Sequence, residues 1–387
     1  MNPLLLRRRW MVQDAEVDYS KQYLTFVSLA DNNKIEFFTN DAYNARIIYV
    51  STDQNTWVSK GSSSAGTTLA TLNNGGKLYV KVSVNITGYS NGTYYHYFEA
   101  TGDFALQGNI MSLLYSDNFW QQTALPSAKF TFLRMFAHQA QLVDISNLVM
   151  PATTLRQGCY EEMFRDTPIT SIPNNFLPAT TCAQSCYYNM FRDCTGLAEI
   201  PSGLLPATTL ATHCYGYMFY GCSNITTLPS TLLPATTMAD YCYEYMFRAI
   251  GVTALPEGLL PATTLAVGCY QYMFLSSSVA SVPSNLLPAT TLANSCYRAM
   301  FSTCASLAAA PDLPAGTLVA YCYRSMFYQC SSIKYMKCLA TSGLSTTECT
   351  QAWLTGNPGG GTFYAKSGVS WASGNSGIPG NWTRINV

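Results

Sequence analysis

LPATTLATHCYGYMF, at residues 205–219, is one copy of a segment that recurs with a period of about 27 residues through the middle of the chain. A Cys-Tyr pair and a Met-Phe pair return together in seven copies. The cysteines of these pairs are Cys159, Cys186, Cys214, Cys242, Cys269, Cys296 and Cys322. Self-similarity at a fixed period of roughly 20–50 residues is typical of arrays in which each unit buries its apolar face against the next. The sequence therefore predicts a stacked repeat protein.

Within one copy, apolar residues recur every four positions, which favours a short helix with one buried face. These residues are Leu210, Cys214, Met218 and Cys222, with Phe219 beside them. The preceding Thr208 and Thr209 are expected to cap the start of that helix. On the other side, residues 197–201 (LAEIP) have the composition of one short strand. One short strand plus one short helix per unit predicts a leucine-rich-repeat solenoid, right-handed and curved, with its strands on the inner side.

The residues around each Met-Phe pair resemble a known family. Phe219, Cys222 and Ile225 fit the pattern Met-Phe-x-x-Cys-(Ser/Thr)-x-(Leu/Ile), which is similar to BspA-like, or Treponema-type, leucine-rich repeats. Copies that keep the pattern also begin at Met190 and Met326, and copies that lack the later cysteine begin at Met246 and Met273. The layout of the whole chain is also similar to surface proteins of gut Bacteroidales and of their phages. The resemblance implies adhesion or receptor binding, and it carries no catalytic residues.

The chain has fourteen cysteines, and their pattern argues against a disulfide framework. Half of them belong to the Cys-Tyr pairs, and four more follow eight residues later in their own copies. In other copies the equivalent residues are Thr167, Ile250 and Ser277, and a position that accepts Ile is an apolar slot. Buried free cysteine behaves as a small hydrophobic residue. We therefore predict thiols that are stacked, buried and reduced.

Composition excludes several classes of function. Charged residues make up only 11% of the sequence, and the formal net charge is zero. Nucleic-acid binding would require a basic surface, yet residues 130–333 contain no lysine. No run approaches the roughly 20 apolar residues of a membrane-spanning helix. The three histidines are far apart in sequence, and no zinc-ligand spacing, nucleophile motif or phosphate loop is found. We therefore expect no nucleic-acid partner, membrane span, metal, cofactor or enzymatic activity.

The sequence divides into four predicted segments. Residues 1–18 are a basic-apolar peptide, and residues 19–105 alternate β-branched and aromatic runs with turn clusters, which predicts a β-sandwich. The predicted strands of the sandwich are residues 23–27, 34–39, 46–50, 78–86 and 93–100. Residues 106–340 form the repeat array. Residues 341–387 are rich in glycine and tryptophan and are expected to cover the last repeat with a β cap, as terminal units of repeat proteins do.

Two sets of side chains in the array have different expected roles. The tyrosine of Cys-Tyr is present in every copy, so it belongs to the fold, and a half-buried ladder is expected. The residues one or two positions further on differ between copies and are better candidates for recognition: Tyr217, Tyr245, Tyr272, Arg298 and Arg324. Aromatic and Arg side chains of adjacent units can form a continuous contact stripe. Simple surface variation is the alternative. Residues 94–97 (YYHY) and the tryptophans of the tail are further candidates for glycan binding.

The leading functional hypothesis is a non-enzymatic adhesion or receptor-binding protein on the outside of a phage particle, as a head or tail appendage. Its target would be a host-surface protein or glycan. The N-terminus lacks the basic-then-apolar order of a secretory signal, so a virion is the expected route to the outside of the cell. A bacterial cell-surface adhesin and a purely structural virion decoration protein are the alternatives. Self-association into a homo-oligomer also stays open.

The N-terminal peptide is the expected attachment to the particle. It contains the run Leu4, Leu5, Leu6, Arg7, Arg8 and Arg9. Arginines can pair with carboxylates in a bidentate manner, and the leucines can fill an apolar groove. This run is therefore predicted to dock the chain to other virion proteins.

Overall fold

The computed structural model describes residues 18–40, 45–116, 118–374 and 376–387. Over these residues the regular secondary structure consists of twelve short β-strands and three 3₁₀ turns, the latter at Tyr19–Lys21, Ile110–Leu113 and Phe119–Gln121. The predicted anchoring run at residues 4–9 lies outside the described residues. Within the described part of the chain, no helix is long and apolar enough to cross a bilayer.

Nine strands form two sheets in the N-terminal part. They are β1 Leu24–Ser28, β2 Asn33–Thr39, β3 Ile47–Ser51, β4 Val58–Gly61, β5 Thr67–Leu72, β6 Lys77–Lys81, β7 His96–Ala100, β8 Phe104–Asn109 and β9 Leu142–Val149. One sheet has the order β4-β3-β6-β1-β8-β9, and the other has the order β5-β2-β7. The sheets face each other through Phe26 on β1 and Phe98 on β7, whose ring centroids are 5.0 Å apart. The five predicted strands overlap β1, β2, β3, β6 and β7.

The larger sheet continues into the repeat region. Strand β8 crosses the predicted boundary at residue 105, and β9, which follows the first Met-Phe pair, joins β8 in parallel. Side chains alternate along β1, so that Leu24 and Phe26 point into the core while Thr25 lies on the opposite face. The sandwich and the first repeats therefore share one sheet.

The predicted strand-plus-helix unit is wrong. No α-helix occurs among the described residues, and residues 197–201 form no strand. Each copy instead runs through consecutive tight turns in which every fourth residue has a left-handed backbone. In the copy quoted above these residues are His213, Tyr217 and Gly221, with φ of 56°, 57° and 76°. The predicted leucine-rich-repeat solenoid is overturned by this finding, because the described chain is built from turns and several small sheets.

The wrong prediction has a simple physical origin. An α-helix repeats every 3.6 residues, whereas these turns repeat every four residues. Over the nine residues from Cys214 to Cys222, both periods place the same side chains on the buried side. The short motif therefore cannot distinguish a helix from a series of turns. Only the left-handed residues that lie between the apolar pairs distinguish the turns from a helix. Most of these residues are not glycine.

Hydrogen bonds between neighbouring copies hold the turns together. The Tyr215 N–H donates to the Cys242 carbonyl at 3.0 Å, and the Phe219 N–H donates to the Met246 carbonyl at 3.0 Å. The left-handed Tyr217 also donates to the next copy, to the Glu244 carbonyl at 2.9 Å. Satisfied backbone groups are required in a buried structure. These bonds offset the cost of roughly 1–3 kcal/mol that a non-glycine residue pays in a sparsely populated backbone region.

Two columns of aromatic rings run through the core of the array. The tyrosine column consists of Tyr160, Tyr187, Tyr215, Tyr243, Tyr270, Tyr297 and Tyr323, with neighbouring centroids 5.5–5.9 Å apart. The phenylalanine column consists of Phe136, Phe164, Phe191, Phe219, Phe247, Phe274, Phe301 and Phe327, at 5.5–6.0 Å. The tyrosines are at most 2% exposed. The expected half-buried ladder is therefore wrong, since these tyrosines are core residues.

Both columns connect the array to its N-terminal sandwich. Phe98 of β7 stacks on Phe136 with centroids 5.7 Å apart. Tyr89 stacks on Phe132 at 6.2 Å, and Phe132 stacks on Tyr160 at 5.7 Å. One apolar core therefore extends from the sandwich into the repeats.

The cysteines fill the space beside these columns. All fourteen are free and buried, which confirms the prediction of buried thiols. The Cys222 thiol donates to the Phe191 carbonyl at 3.0 Å, and the Cys330 thiol donates to the Phe301 carbonyl at 2.9 Å. Burial raises the pKa of Cys194 to about 11 and that of Cys159 to about 12. These thiols therefore act as packing groups that also bond adjacent copies.

The C-terminal part closes the array with a small parallel sheet. Its strands are β10 Tyr335–Cys338, β11 Thr362–Ala365 and β12 Thr383–Asn386. Trp353 is fully buried between Tyr323, at 6.4 Å, and Trp371, at 5.5 Å, and its indole N–H donates to the Gly377 carbonyl. Trp353 is therefore buried against the last repeat, and Trp382 is buried within the tail, where its indole N–H donates to Asn357 Oδ1, so neither tryptophan forms an exposed glycan site.

Candidate binding surface

Some left-handed residues of the turns carry side chains that reach the surface of the array. At the position three residues after the first cysteine, three successive copies carry Tyr217, Tyr245 and Tyr272, with φ of 57°, 52° and 59°. Their rings stack from copy to copy, with centroids 4.5 Å and 4.4 Å apart. This spacing is shorter than that of the buried tyrosine column. The three rings are half-buried and form a continuous strip on the surface.

Two more tyrosines widen this strip. Tyr188 packs edge-on against Tyr217 at 5.3 Å, and Tyr220 lies beside Tyr217 at 6.0 Å. We call the five residues Tyr188, Tyr217, Tyr220, Tyr245 and Tyr272 the tyrosine ridge. The ridge spans four consecutive copies of the repeat.

Arginines flank the tyrosine ridge. The Tyr220 ring lies between the guanidinium groups of Arg192, at 4.5 Å, and Arg248, at 4.9 Å. Arg298 lies 5.6 Å from the Tyr272 ring. A cation over an aromatic ring is stabilised by the ring quadrupole. The arginines are thus held in place while they remain partly exposed to solvent.

A buried carboxylate lies beside the ridge. Glu244 is 6% exposed, and its carboxylate accepts hydrogen bonds from Gln271 Nε2 at 2.9 Å and from the His213 ring, whose Nδ1 lies at 2.6 Å. Gly216 is next to it, where a Cβ atom would come within 2.8 Å of the Tyr188 ring. The absence of a side chain at Gly216 therefore lets Tyr188 pack against the repeat.

Three tyrosines of the ridge, Tyr188, Tyr217 and Tyr245, stay protonated at neutral pH. Burial, with a smaller contribution from nearby carboxylates, raises the pKa of Tyr188 to about 12. Burial also raises the pKa of Tyr217 and Tyr245, and the neighbouring ridge tyrosines add to the effect. The phenol groups of these three tyrosines are therefore hydrogen-bond donors, and their rings are apolar surfaces.

The residues predicted for recognition separate into two groups. Tyr217, Tyr245 and Tyr272 are in contact, and Arg298 lies at the end of their stack. Arg324 lies apart from them, beside Tyr321 at 5.7 Å, and forms an ion pair with Glu348. The sequence interpretation missed Tyr188, Tyr220, Arg192 and Arg248. The sequence did contain a signal for Arg192, Tyr220 and Arg248. The residue after the Met-Phe pair is Arg165, Arg192, Tyr220 and Arg248 in four successive copies.

Other candidates from the sequence do not form a site of this kind. The YYHY segment contributes buried His96, while Tyr97 stacks on Phe38 at 5.1 Å and Tyr94 is 45% exposed. His138 contacts Asp166, far from His213 in sequence. No group of three or more His, Cys, Asp or Glu side chains in the described ranges is placed to hold a metal ion.

No protein-family model, curated protein or solved structure matches the chain.

Proposed function

We propose that the protein is a non-enzymatic adhesion or receptor-binding protein and that the tyrosine ridge contacts its target. The observation that supports this is the concentration of five half-buried tyrosines and three arginines on one side of the array. Tyrosine and arginine are among the residues most enriched at the energetic centres of protein interfaces. Tyrosine also offers a large contact area with few rotatable bonds.

The backbone at the ridge supports a functional reason for these tyrosines. Asn and Gly tolerate the left-handed conformation better than an aromatic residue does. The same position in neighbouring copies carries Asn189 and Ala299, so the fold itself does not require an aromatic ring there. Tyr217, Tyr245 and Tyr272 therefore add surface properties that stacking of the repeats does not need.

The ridge is also pre-organised. Ring stacking fixes the tyrosines, and the paired guanidinium groups of Arg192 and Arg248 fix Tyr220. Side chains that are ordered before binding lose less conformational entropy when a partner arrives. Phenol and guanidinium donors beside apolar rings suit a protein or glycan on a host surface.

Cell binding by the full chain tests this proposal. The fluorescently labelled protein is titrated onto a panel of gut bacterial cells, and a variant with Tyr217, Tyr245 and Tyr272 replaced by Ala is compared with it. We expect binding by the triple variant to fall at least about tenfold, which corresponds to about 1.4 kcal/mol. Tyr94→Ala, at an exposed tyrosine of the sandwich, is the matched control. Equal binding by the triple variant and the intact chain would reject the ridge as the contact surface.

We extend the proposal to display on a phage particle, with the run from Leu4 to Arg9 docking the chain to other virion proteins. Deleting residues 2–12 is expected to abolish incorporation into particles and to leave the thermal melt of the array unchanged. Antibody detection in purified particles and in cell envelopes separates this proposal from a bacterial surface adhesin. If the protein were purely structural decoration, the triple ridge variant would still enter particles. Adsorption of those particles to cells would then be unchanged.

A further inference from the structure

A groove of about 560 Å³ lies on the outer face of the six-stranded sheet, apart from the tyrosine ridge. Its floor is a row of side chains from four adjacent strands. Thr25 on β1 pairs with Tyr79 on β6 and with Gln107 on β8, and Gln107 pairs with Asn147 on β9. Strand alternation places these residues on the face opposite the core residues Phe26, Leu78 and Leu106.

Aromatic side chains form one side of the groove. Tyr23 lines it and packs edge-on against Trp57, with centroids 5.0 Å apart. Lys81 lies over the Trp57 ring at 4.4 Å. The backbone carbonyl of Gln54 accepts a hydrogen bond from the Trp57 indole N–H. Gln54 and Pro173, the latter from the array, also line the groove. The aromatic wall is thus braced by contacts that do not depend on a ligand.

The charged side chains among the described lining residues are all positive. Lys21 and Lys77 line the groove and are exposed, and no Asp or Glu is among the described lining residues. The amide groups of Gln54, Gln107 and Asn147 supply both donors and acceptors. The groove therefore combines aromatic surface, amides and positive charge.

We propose that this groove binds a short oligosaccharide that carries a carboxylate. The apolar C–H face of a pyranose ring packs on Tyr79 or Tyr23, and its hydroxyls bond the amides of Gln107 and Asn147. Lys77 pairs with the carboxylate through a charge-assisted hydrogen bond. The volume lies within the roughly 300–1,000 Å³ typical of small-ligand sites.

The position of the groove argues against an extended peptide as the ligand. Peptides that add to a sheet do so at an exposed edge, where the backbone is unpaired. Three of the four floor strands, β6, β1 and β8, have backbones that are paired on both sides, and only β9 lies at the edge of the sheet. Recognition over β6, β1 and β8 must therefore use side chains, as it does for sugars.

Titration of the full chain with acidic oligosaccharides tests this inference. The probes are a panel of uronate- and sialate-bearing oligosaccharides and the carboxyl-reduced form of each. We expect at least one acidic member to bind and its reduced form to bind at least about tenfold more weakly, or about 1.4 kcal/mol. Binding by no member would overturn the proposal. Equal binding of the two forms would overturn the assignment of a carboxylate.

Matched variants locate the binding. Gln107→Ala, Asn147→Ala and Lys77→Gln should each weaken binding of the acidic member about tenfold while the thermal melt stays unchanged. Lys34→Gln, at an exposed lysine of the three-stranded sheet, should have no effect. The triple ridge variant should also bind the sugar normally, so failure of the ridge proposal and failure of this one are distinguishable. Unchanged binding by all three groove variants would place the sugar elsewhere.

Discussion

Tyr245 and Tyr272, from adjacent repeats, stack on the outside of the array with ring centroids 4.4 Å apart and planes within 9°. Two positions earlier, Tyr243 and Tyr270 stack at 5.9 Å in the core. Each of these copies therefore carries one tyrosine that builds the fold and one that forms the surface. The two roles belong to different residues that lie two positions apart, so single substitutions can separate them.

The first prediction separates these roles by stability. Phe219 belongs to the buried phenylalanine column, so Phe219→Ala should lower the free energy of unfolding by about 3–5 kcal/mol, as for other buried aromatics. Tyr217→Ala removes a half-buried ring and should cost less than about 1 kcal/mol. Chemical denaturation of both variants measures the difference. Similar losses for the two variants would show that the ridge is as important to the fold as the core column.

The second prediction concerns the thiols. All fourteen cysteines should react with a thiol reagent after denaturation without a reductant, since all are free. In the native state at pH 8, alkylation of Cys159, Cys304 and Cys338 should be slow because burial raises the pKa of each of these thiols to about 12. Only thiolates react. Mass spectrometry after timed labelling checks both parts. A count well below fourteen in the denatured chain would indicate disulfides and contradict the structure.

The third prediction concerns pH. Burial, together with the charge of Glu162, raises the pKa of Glu161 from 4.5 to about 7. The folded state then holds this proton more tightly than the unfolded state does. Its contribution to stability is fully present below about pH 4.5 and is lost as the pH rises through 7. Glu161→Gln should therefore raise the melting temperature relative to the intact chain at pH 8, and the difference should vanish near pH 4.5.

The exposed Glu199 supplies the control for this effect. Glu199→Gln changes an exposed side chain and should alter the melting temperature little, as surface substitutions usually do. Glu162 itself is kept charged, because hydrogen bonds from Arg134 and Arg165 lower its pKa against the effect of burial. A pH-independent effect of Glu161→Gln would contradict the prediction.

The sequence predicted the stacking and the core residues but not the local backbone. The apolar identity of Cys214, Met218 and Phe219 and the fixed period were enough to place them inside, and several N-terminal strands followed from simple alternation. The turns could not be inferred, because a left-handed Tyr217 contradicts the intrinsic preference of that residue. That conformation is stabilised by hydrogen bonds to the next copy, and a single motif does not reveal them.

The ridge was predicted only in part for a related reason. Tyr217, Tyr245 and Tyr272 occupy one position of the repeat and are visible as a column in the sequence. Tyr188 comes from a different position and reaches the ridge through a side-chain contact. That contact depends on Gly216 in the next copy, and spacing within one copy does not show it.

The last prediction uses this dependence on Gly216. Its φ is not in the left-handed region, so an alanine is compatible with the backbone, but the added Cβ would lie 2.8 Å from Tyr188 Cε2 and 3.4 Å from Glu244 Cγ. The Tyr188 ring must then move away from Tyr217. Gly216→Ala should weaken cell binding through the ridge and lower the pKa of Tyr188 from about 12 toward the ordinary value of 10 as the ring becomes exposed.

Ultraviolet titration of the phenols measures the second effect without any knowledge of the target, with Tyr188→Phe identifying the signal. Gly316→Ala is the control, because its Cβ would meet no atom within 4 Å. That variant should match the intact chain in both measurements. If Gly216→Ala left both the binding and the phenol titration unchanged, the packing of Tyr188 would not depend on the glycine, and this account of the ridge would be wrong.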